Sequence, residues 1–321
     1  MSAVVSLGAG KLRYLDRLEP KNGDWPRWQV CYCGICKTDR LLAWSTGTEG
    51  LVLGHEVVCR DGRGHYYALN NEINCGNCDY CREKLTSHCR HLYELGVTHH
   101  GGFANWLSAP PHSLYLLPLR DARLGMLAEP LACAIHGVGR LCIALALQQV
   151  AEPRILIIGS GVAGKMLAHL LYHRITARLT LCDIDAEAMA WARNTSIECR
   201  STPFHEHYHV VIECSGGQGS LALALSAVRR AGAVMIYGIP DSGEALPIPM
   251  RDIFNRELTL LASMAGCTQE TFSEAIRYLE QHQAFFATLL GRQVSLQQLP
   301  GELLHNAPQA GTRSWVTVTP Q

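Results

Sequence analysis

Cys75, Cys78, Cys81 and Cys89 lie within one short segment, and four thiolates so close in sequence can take the corners of a single tetrahedral Zn²⁺ site. A site filled entirely by protein sulfur is structural, so any metal chemistry needs a second site with an open position. Gly76, Asn77, Asp79 and Tyr80 fill the gaps between the cysteines, as they do in turn-rich metal loops. The rival reading, a disulfide framework, suits a small secreted domain. This chain has 321 residues, is 48% apolar and shows no signal-like N-terminus.

A second chemistry is written at Gly159-Ser-Gly161-Val162-Ala163-Gly164, which follows the apolar run Arg154–Ile158 and opens an apolar helical stretch. Glycines there allow a tight turn, close backbone approach to a pyrophosphate and close helix–strand packing, while the helix N-terminus favours the negative charge. The next apolar run, Arg178–Cys182, ends at Asp183, a carboxylate placed to accept both ribose hydroxyls of the adenosine half. A 2′-phosphate would meet that charge, and no arginine follows until Arg193, which favours NAD over NADP. Further strands end at Cys214-Ser215 and at Gly238, positions that border the cofactor crevice of a doubly wound sheet. Asp185 reads as the N-cap of a helix over 186–192.

The elements that must position these residues fall into two patterns. Residues 1–124 are rich in short β-like pieces, glycine and turn signals, and read as a barrel-like β domain. From 125 to 288, helical stretches alternate with apolar strands at 154–158, 178–182, 209–213, 232–237 and 258–262, which predicts a parallel sheet with crossover helices. Residues 289–321 return to short strands and are expected to rejoin the first domain. Lys+Arg and Asp+Glu balance at 28 each, so no nucleic-acid partner is indicated. The apolar runs are short for a bilayer, and 14 cysteines without a disulfide pattern call for reducing conditions. A soluble cytoplasmic protein is therefore expected.

Cys33-Gly-Ile-Cys36-Lys-Thr38-Asp39, Gly54-His55-Glu56, the four-cysteine segment, His100-Gly-Gly-Phe-Ala104, Glu129-Pro-Leu-Ala132 and the glycine-rich turn occur in this order. In these six motifs the chain resembles the zinc-dependent medium-chain dehydrogenase/reductase family, which includes alcohol, polyol, sugar and threonine dehydrogenases. The resemblance implies an α/β architecture with a GroES-like β-barrel catalytic domain and a Rossmann domain. It also implies two zinc ions per chain, an alcohol or carbonyl substrate, and a homo-oligomer, dimer or tetramer. Cys36 and His55 would bind a catalytic zinc, with Glu129 or Glu56 as third protein ligand. Thr38 would bond the substrate oxygen, and Asp39 would hold the other ring nitrogen of His55. Three protein ligands leave a fourth position where an alcohol can be acidified before it expels hydride.

The chain departs from that pattern at Leu41, where many relatives carry a proton-relaying histidine, and at Cys59, where a glycine is usual. Glu56, a bound water, or His99 and His100 are candidates to reroute the proton. These departures motivate an alternative, a tailoring dehydrogenase acting on an unusual substrate in a specialised pathway. A non-enzymatic nucleotide-binding or structural member of the family is the other, and the retained Cys36, His55, Glu56 and Glu129 argue against it.

Overall fold

A computed structural model describes residues 2–18, 22–146, 150–240, 248–306 and 311–318. The chain forms two compact units, one of Met1–Ala132 with Gly266–Gln321, the other of Cys133–Ala265.

In the first unit, a seven-stranded sheet is ordered Leu290–Ser295, Arg313–Thr317, Arg27–Gly34, Val57–Arg60, Tyr66–Leu69 and Leu114–Leu116, with Trp106–Ser108 also pairing with Arg27–Gly34. This is the GroES-like β domain. Its central strand, Arg27–Gly34, carries the β-favouring run Trp-Gln-Val-Cys-Tyr, yet its core residues Val30 and Cys33 are three apart rather than two. A register shift between Val30 and Tyr32 explains the spacing, because a bulge adds a residue and turns the remainder of the strand. The turned end leads directly to Cys36. The core beneath gathers Val30, Leu53, Val57, Phe103 and Leu107.

The second unit holds six parallel strands in the order Glu198–Arg200, Arg178–Cys182, Arg154–Ile158, Tyr208–Glu213, Val228–Ile236 and Thr259–Ala262. The chain order reverses between Arg154–Ile158 and Tyr208–Glu213, as in a doubly wound Rossmann sheet, where ligands bind beyond the strand ends at that switch. The buried apolar runs Ile155–Ile158 and Val210–Ile212 mark central strands covered on both faces.

Three features differ from the sequence expectations. The units divide after Ala132 and after Ala265, not at 124 and 288. Leu127, Ala128 and Leu131 are fully buried before the first division, and the return segment begins with a helix, Gln269–Gln281, that buries Phe272, Ala275, Ile276 and Leu279 at helical spacing. The expected helix at 186–192 is a run of turns ending in a short 3₁₀ segment, Ala190–Ala192. There the Ala188 carbonyl, which an α-helix would give to the Ala192 N–H, accepts the Ser160 hydroxyl at 2.7 Å, and the Ala192 N–H goes to Met189 O. Lastly, among the described residues, one helical run, Ala122–Ile143, is long and apolar enough to cross a membrane; 56% of its most apolar window is buried in the protein.

Candidate functional site

Cys36 is the N-cap residue of the helix Lys37–Trp44, and Asp39, three residues on, reaches back so that Oδ2 accepts the Cys36 N–H at 2.8 Å. The other oxygen, Oδ1, accepts the Gly54 N–H at 3.2 Å and lies 3.3 Å from His55 Nδ1. With Nδ1 held in this way, His55 Nε2 faces Cys36 Sγ at 3.1 Å. The ligand atoms of Cys36, His55 and Glu56 all lie within 4.8 Å of one another, and all three residues are buried. Glu56 Oε1 pairs with Arg313 at 2.9 Å, whereas Oε2 has no hydrogen-bond partner among the described residues.

The electrostatics of this pocket favour a divalent cation. Burial, reinforced by the Asp39 carboxylate, pushes the Cys36 thiol up. Burial likewise raises Glu56 to about 7, with Glu129 adding to the rise and Arg313 opposing it. Thiolate, imidazole and carboxylate together form a donor set that zinc accepts, and Arg313 alone does not balance the charge these groups carry once deprotonated. The donor set of Cys36, His55 and Glu56 therefore fits zinc.

Of the other sequence candidates, Thr38 sits half-buried on the first turn of the same helix. Glu129 starts the helix Ala128–Ala146; the Cys267 thiol approaches its carboxylate at 3.9 Å, and its charge is felt at Glu56, Glu72 and Glu94. His100 accepts the Val52 N–H on Nδ1 at 3.2 Å, and with Asn22, Trp25, Tyr93 and His99 it lines a cavity of about 440 Å³. Arg313 carried no sequence signal.

The four lobe cysteines converge as expected from their spacing. Sγ separations are 3.5 Å for Cys78–Cys81, 3.8 Å for Cys78–Cys89 and 3.9 Å for Cys75–Cys81. A tetrahedron with Zn–S bonds of about 2.3 Å has edges of about 3.8 Å, so these sulfurs already stand at zinc-binding distances. Cys89 Sγ accepts the N–H groups of Cys75 and His91, each at 3.3 Å. N–H groups of Arg90 and Cys81 lower the Cys78 thiol to about 6, which favours the thiolate.

In the second unit, Gly159 and Gly164 both sit where a side chain cannot. Gly159 adopts φ +101° with Ser215 close by, and a Cβ on Gly164 would overlap the Gly159 carbonyl oxygen. Gly161 is the N-cap of the helix Val162–Arg174, whose first turn carries Val162 and Ala163. Asp183 Oδ2 accepts the Ser160 N–H at 2.5 Å and Oδ1 accepts the Asp185 N–H at 2.9 Å, which fixes the carboxylate at the strand end. Cys214 is tied to Ile158 O, and Ser215 and Gly238 are both held by Glu213, the former through its side chain and the latter through its carbonyl. Glu213 and the buried Lys165 are further residues of this region that the motif did not identify.

Residues 186–281 match the family model of the zinc-binding dehydrogenases. The chain is 24% identical over 285 residues to D-altritol 5-dehydrogenase of Agrobacterium fabrum, covering 83% of this chain and 84% of that protein. It is 26% identical over 248 residues to L-threonine 3-dehydrogenase of Edwardsiella ictaluri, covering 66% of this chain and 69% of that one. Among solved structures, a protein described as a zinc-binding dehydrogenase of Sinorhizobium meliloti, bound to NADP, matches with a TM-score of 0.81 and 25% identity over 98% of both chains. Galactitol-1-phosphate dehydrogenase of Escherichia coli shares the fold, with a TM-score of 0.80 and 20% identity over 99% of this chain and 100% of that one.

Proposed function

We propose that this chain, a zinc-dependent medium-chain dehydrogenase/reductase, oxidises a primary or secondary hydroxyl of a polyol, sugar or amino alcohol and passes the hydride to NAD, or runs the reverse reduction. The observation that carries this reading is the buried Cys36, His55 and Glu56 set, oriented through Asp39.

Zinc bound there supplies Lewis acidity that lowers the pKa of an alcohol at the open position. Asp39 keeps the His55 ring turned with Nε2 toward Cys36, and the same carboxylate anchors the chain on either side through the Cys36 and Gly54 N–H groups. Thr38, two residues after Cys36, offers the hydroxyl suited to hold the alcohol oxygen as its proton leaves. Burial of the set keeps bulk water from competing for the open position.

NAD is the proposed cofactor. Support comes from Asp183, whose carboxylate is fixed at a strand end in the position that reads ribose hydroxyls. A homo-oligomer in the cytoplasm is also proposed. The sheet edge Thr259–Ala262 exposes Leu260, with Phe254 and Met264 exposed on either side of it in sequence, and no disulfide joins the cysteines among the described residues.

The test is NADH formation, followed by the absorbance of the reduced nicotinamide, with a panel of polyols, sugars and amino alcohols, alongside zinc content. Turnover on one class, lost in Cys36→Ser, supports the reading. No turnover on any alcohol by fully zinc-loaded protein overturns it.

A further inference from the structure

One cavity of the first unit takes no part in the chemistry proposed above. It measures about 440 Å³, within the range of small-molecule sites, and has Asn22, Trp25, Tyr93, Thr98, His99 and His100 among its lining residues. None of Cys36, Thr38, His55, Glu56 and Glu129 borders it. The segment 94–101 accounts for that separation. Gly96 and Gly101 lay its backbone so close to the Gly54 carbonyl that a Cβ on either would overlap it, while Thr98, His99 and His100 line the cavity. Asn22 fastens the N-terminal wall to the same segment: Nδ2 donates to His100 O at 2.7 Å, and Oδ1 accepts the His100 N–H at 3.0 Å.

The polar atoms offered there are fixed and uncharged. His100 Nδ1 accepts the Val52 N–H at 3.2 Å, which leaves the ring proton on Nε2 as a donor. Thr98 Oγ1 donates to Glu94 O and accepts the Glu94 N–H, so its 2.9 Å contact with His99 Nδ1 takes an Nδ1–H, and His99 Nε2 remains an acceptor. Burial lowers the proton affinity of both imidazoles, and His99 adds to the effect at His100. No Asp, Glu, Lys or Arg lines the cavity among the described residues, so a charged ligand would lose hydration here without gaining a counter-charge. Ring geometry narrows the class further. Tyr93 meets Trp25 at 65° with centroids 5.7 Å apart, and meets His99 at 33° and 4.1 Å. These walls make a corner rather than a parallel-faced slot, which suits a puckered ring with C–H bonds on its faces better than a flat aromatic one.

We propose that this cavity is a binding site for one neutral sugar ring of pyranose size, separate from the metal centre. The C–H face of the ring packs into the corner of Trp25 and Tyr93. One hydroxyl oxygen accepts from His100 Nε2, and a neighbouring hydroxyl donates to His99 Nε2. A hydroxyl can play either part, so two adjacent ones match this donor and acceptor. Binding needs neither zinc nor nicotinamide, and no bond of the sugar is made or broken at this site.

The experiment titrates the methyl β-pyranosides of glucose, galactose and mannose by calorimetry into the zinc-loaded full chain without NAD, beside gluconate and glucosamine as charged counterparts and benzamide as a flat ring. At least one glycoside should bind saturably, with the charged and flat probes weaker by about tenfold or more. Trp25→Ala and Tyr93→Ala should each weaken that glycoside by a similar factor. Amide hydrogen exchange on the wild type gives a second reading that needs no variant: the glycoside should slow exchange within 22–25 and 93–100. No saturable binding of any of the three glycosides, or tighter binding of a charged or flat probe, overturns the proposal. So does binding that survives in both aromatic variants and protects 36–56 instead, which would put the sugar at the metal centre.

Discussion

Asp39 Oδ1 stands 3.3 Å from His55 Nδ1 while its partner oxygen holds the Cys36 N–H, so one carboxylate orients two candidate metal ligands that are 19 residues apart in sequence. Helix start, strand-end turn and imidazole are thereby locked to one another before any metal arrives.

Replacing Asp39 by asparagine keeps the shape and removes the charge. Zinc affinity at the Cys36 site, or kcat/KM, should fall by about 10–100-fold, the usual cost of losing a ligand's carboxylate partner. Competition with a zinc chelator measures it, and an unchanged affinity would mean that the 3.3 Å contact does not tune the imidazole.

The lobe cysteines predict a clean subtraction. Cys81→Ser should lower zinc from two per chain to one and open the segment between Cys75 and Cys89 to proteolysis, since such loops depend on metal for their fold. Metal analysis by mass spectrometry reads the first effect; a content that does not change would rule out the tetrahedral site.

Asp183 should govern cofactor choice. Asp183→Ala is expected to weaken NAD by about 10–100-fold through loss of charged hydrogen bonds, with little loss for NADP. The ratio of kcat/KM for the two cofactors is the measurement, and a constant ratio would remove Asp183 from ribose recognition.

Glu72 makes stability pH-dependent. It holds its proton to about 7 in the fold against an ordinary value of 4.5, chiefly because it is buried. The stabilisation from that retained proton is complete below 4.5 and is lost as pH rises through about 7, up to about 3 kcal/mol. Thermal melts of the wild type and Glu72→Gln should therefore diverge from about pH 5 to about pH 8, with the variant gaining at the higher pH. Parallel melting curves would contradict the burial argument.

Arg313 provides a complementary case. Arg313→Met leaves Glu56 without its cation and should cost about 3–5 kcal/mol in denaturant unfolding, and adding Glu56→Gln should recover much of it. A single variant as stable as the wild type would show that Glu56 needs no partner.

The features legible in the sequence were those with local causes. The glycine-rich turn, the strand before it and the lobe cysteines each announce themselves within a few residues, and the strands at 154–158 and 178–182 fall where the apolar runs placed them. The helix expected at 186–192 failed because the Ser160 hydroxyl, from a distant turn, takes the Ala188 carbonyl. Arg313 was invisible for the same reason. Its meaning depends on what tertiary pairing sets beside it, and neither residue type nor spacing encodes that.

The pairing of Arg313–Thr317 with Arg27–Gly34 also bears on how the chain is made. Arg313 donates to the Ile35 carbonyl across 278 residues of sequence, and the strand it begins is hydrogen-bonded to the one that leads into Cys36. On a ribosome, residues 133–265 can collapse into their parallel sheet as they emerge, whereas the barrel must wait with an open edge for a strand made only after them. Newly made protein should thus complete the sheet around the glycine-rich turn before the strand that leads into Cys36 has its full set of partners.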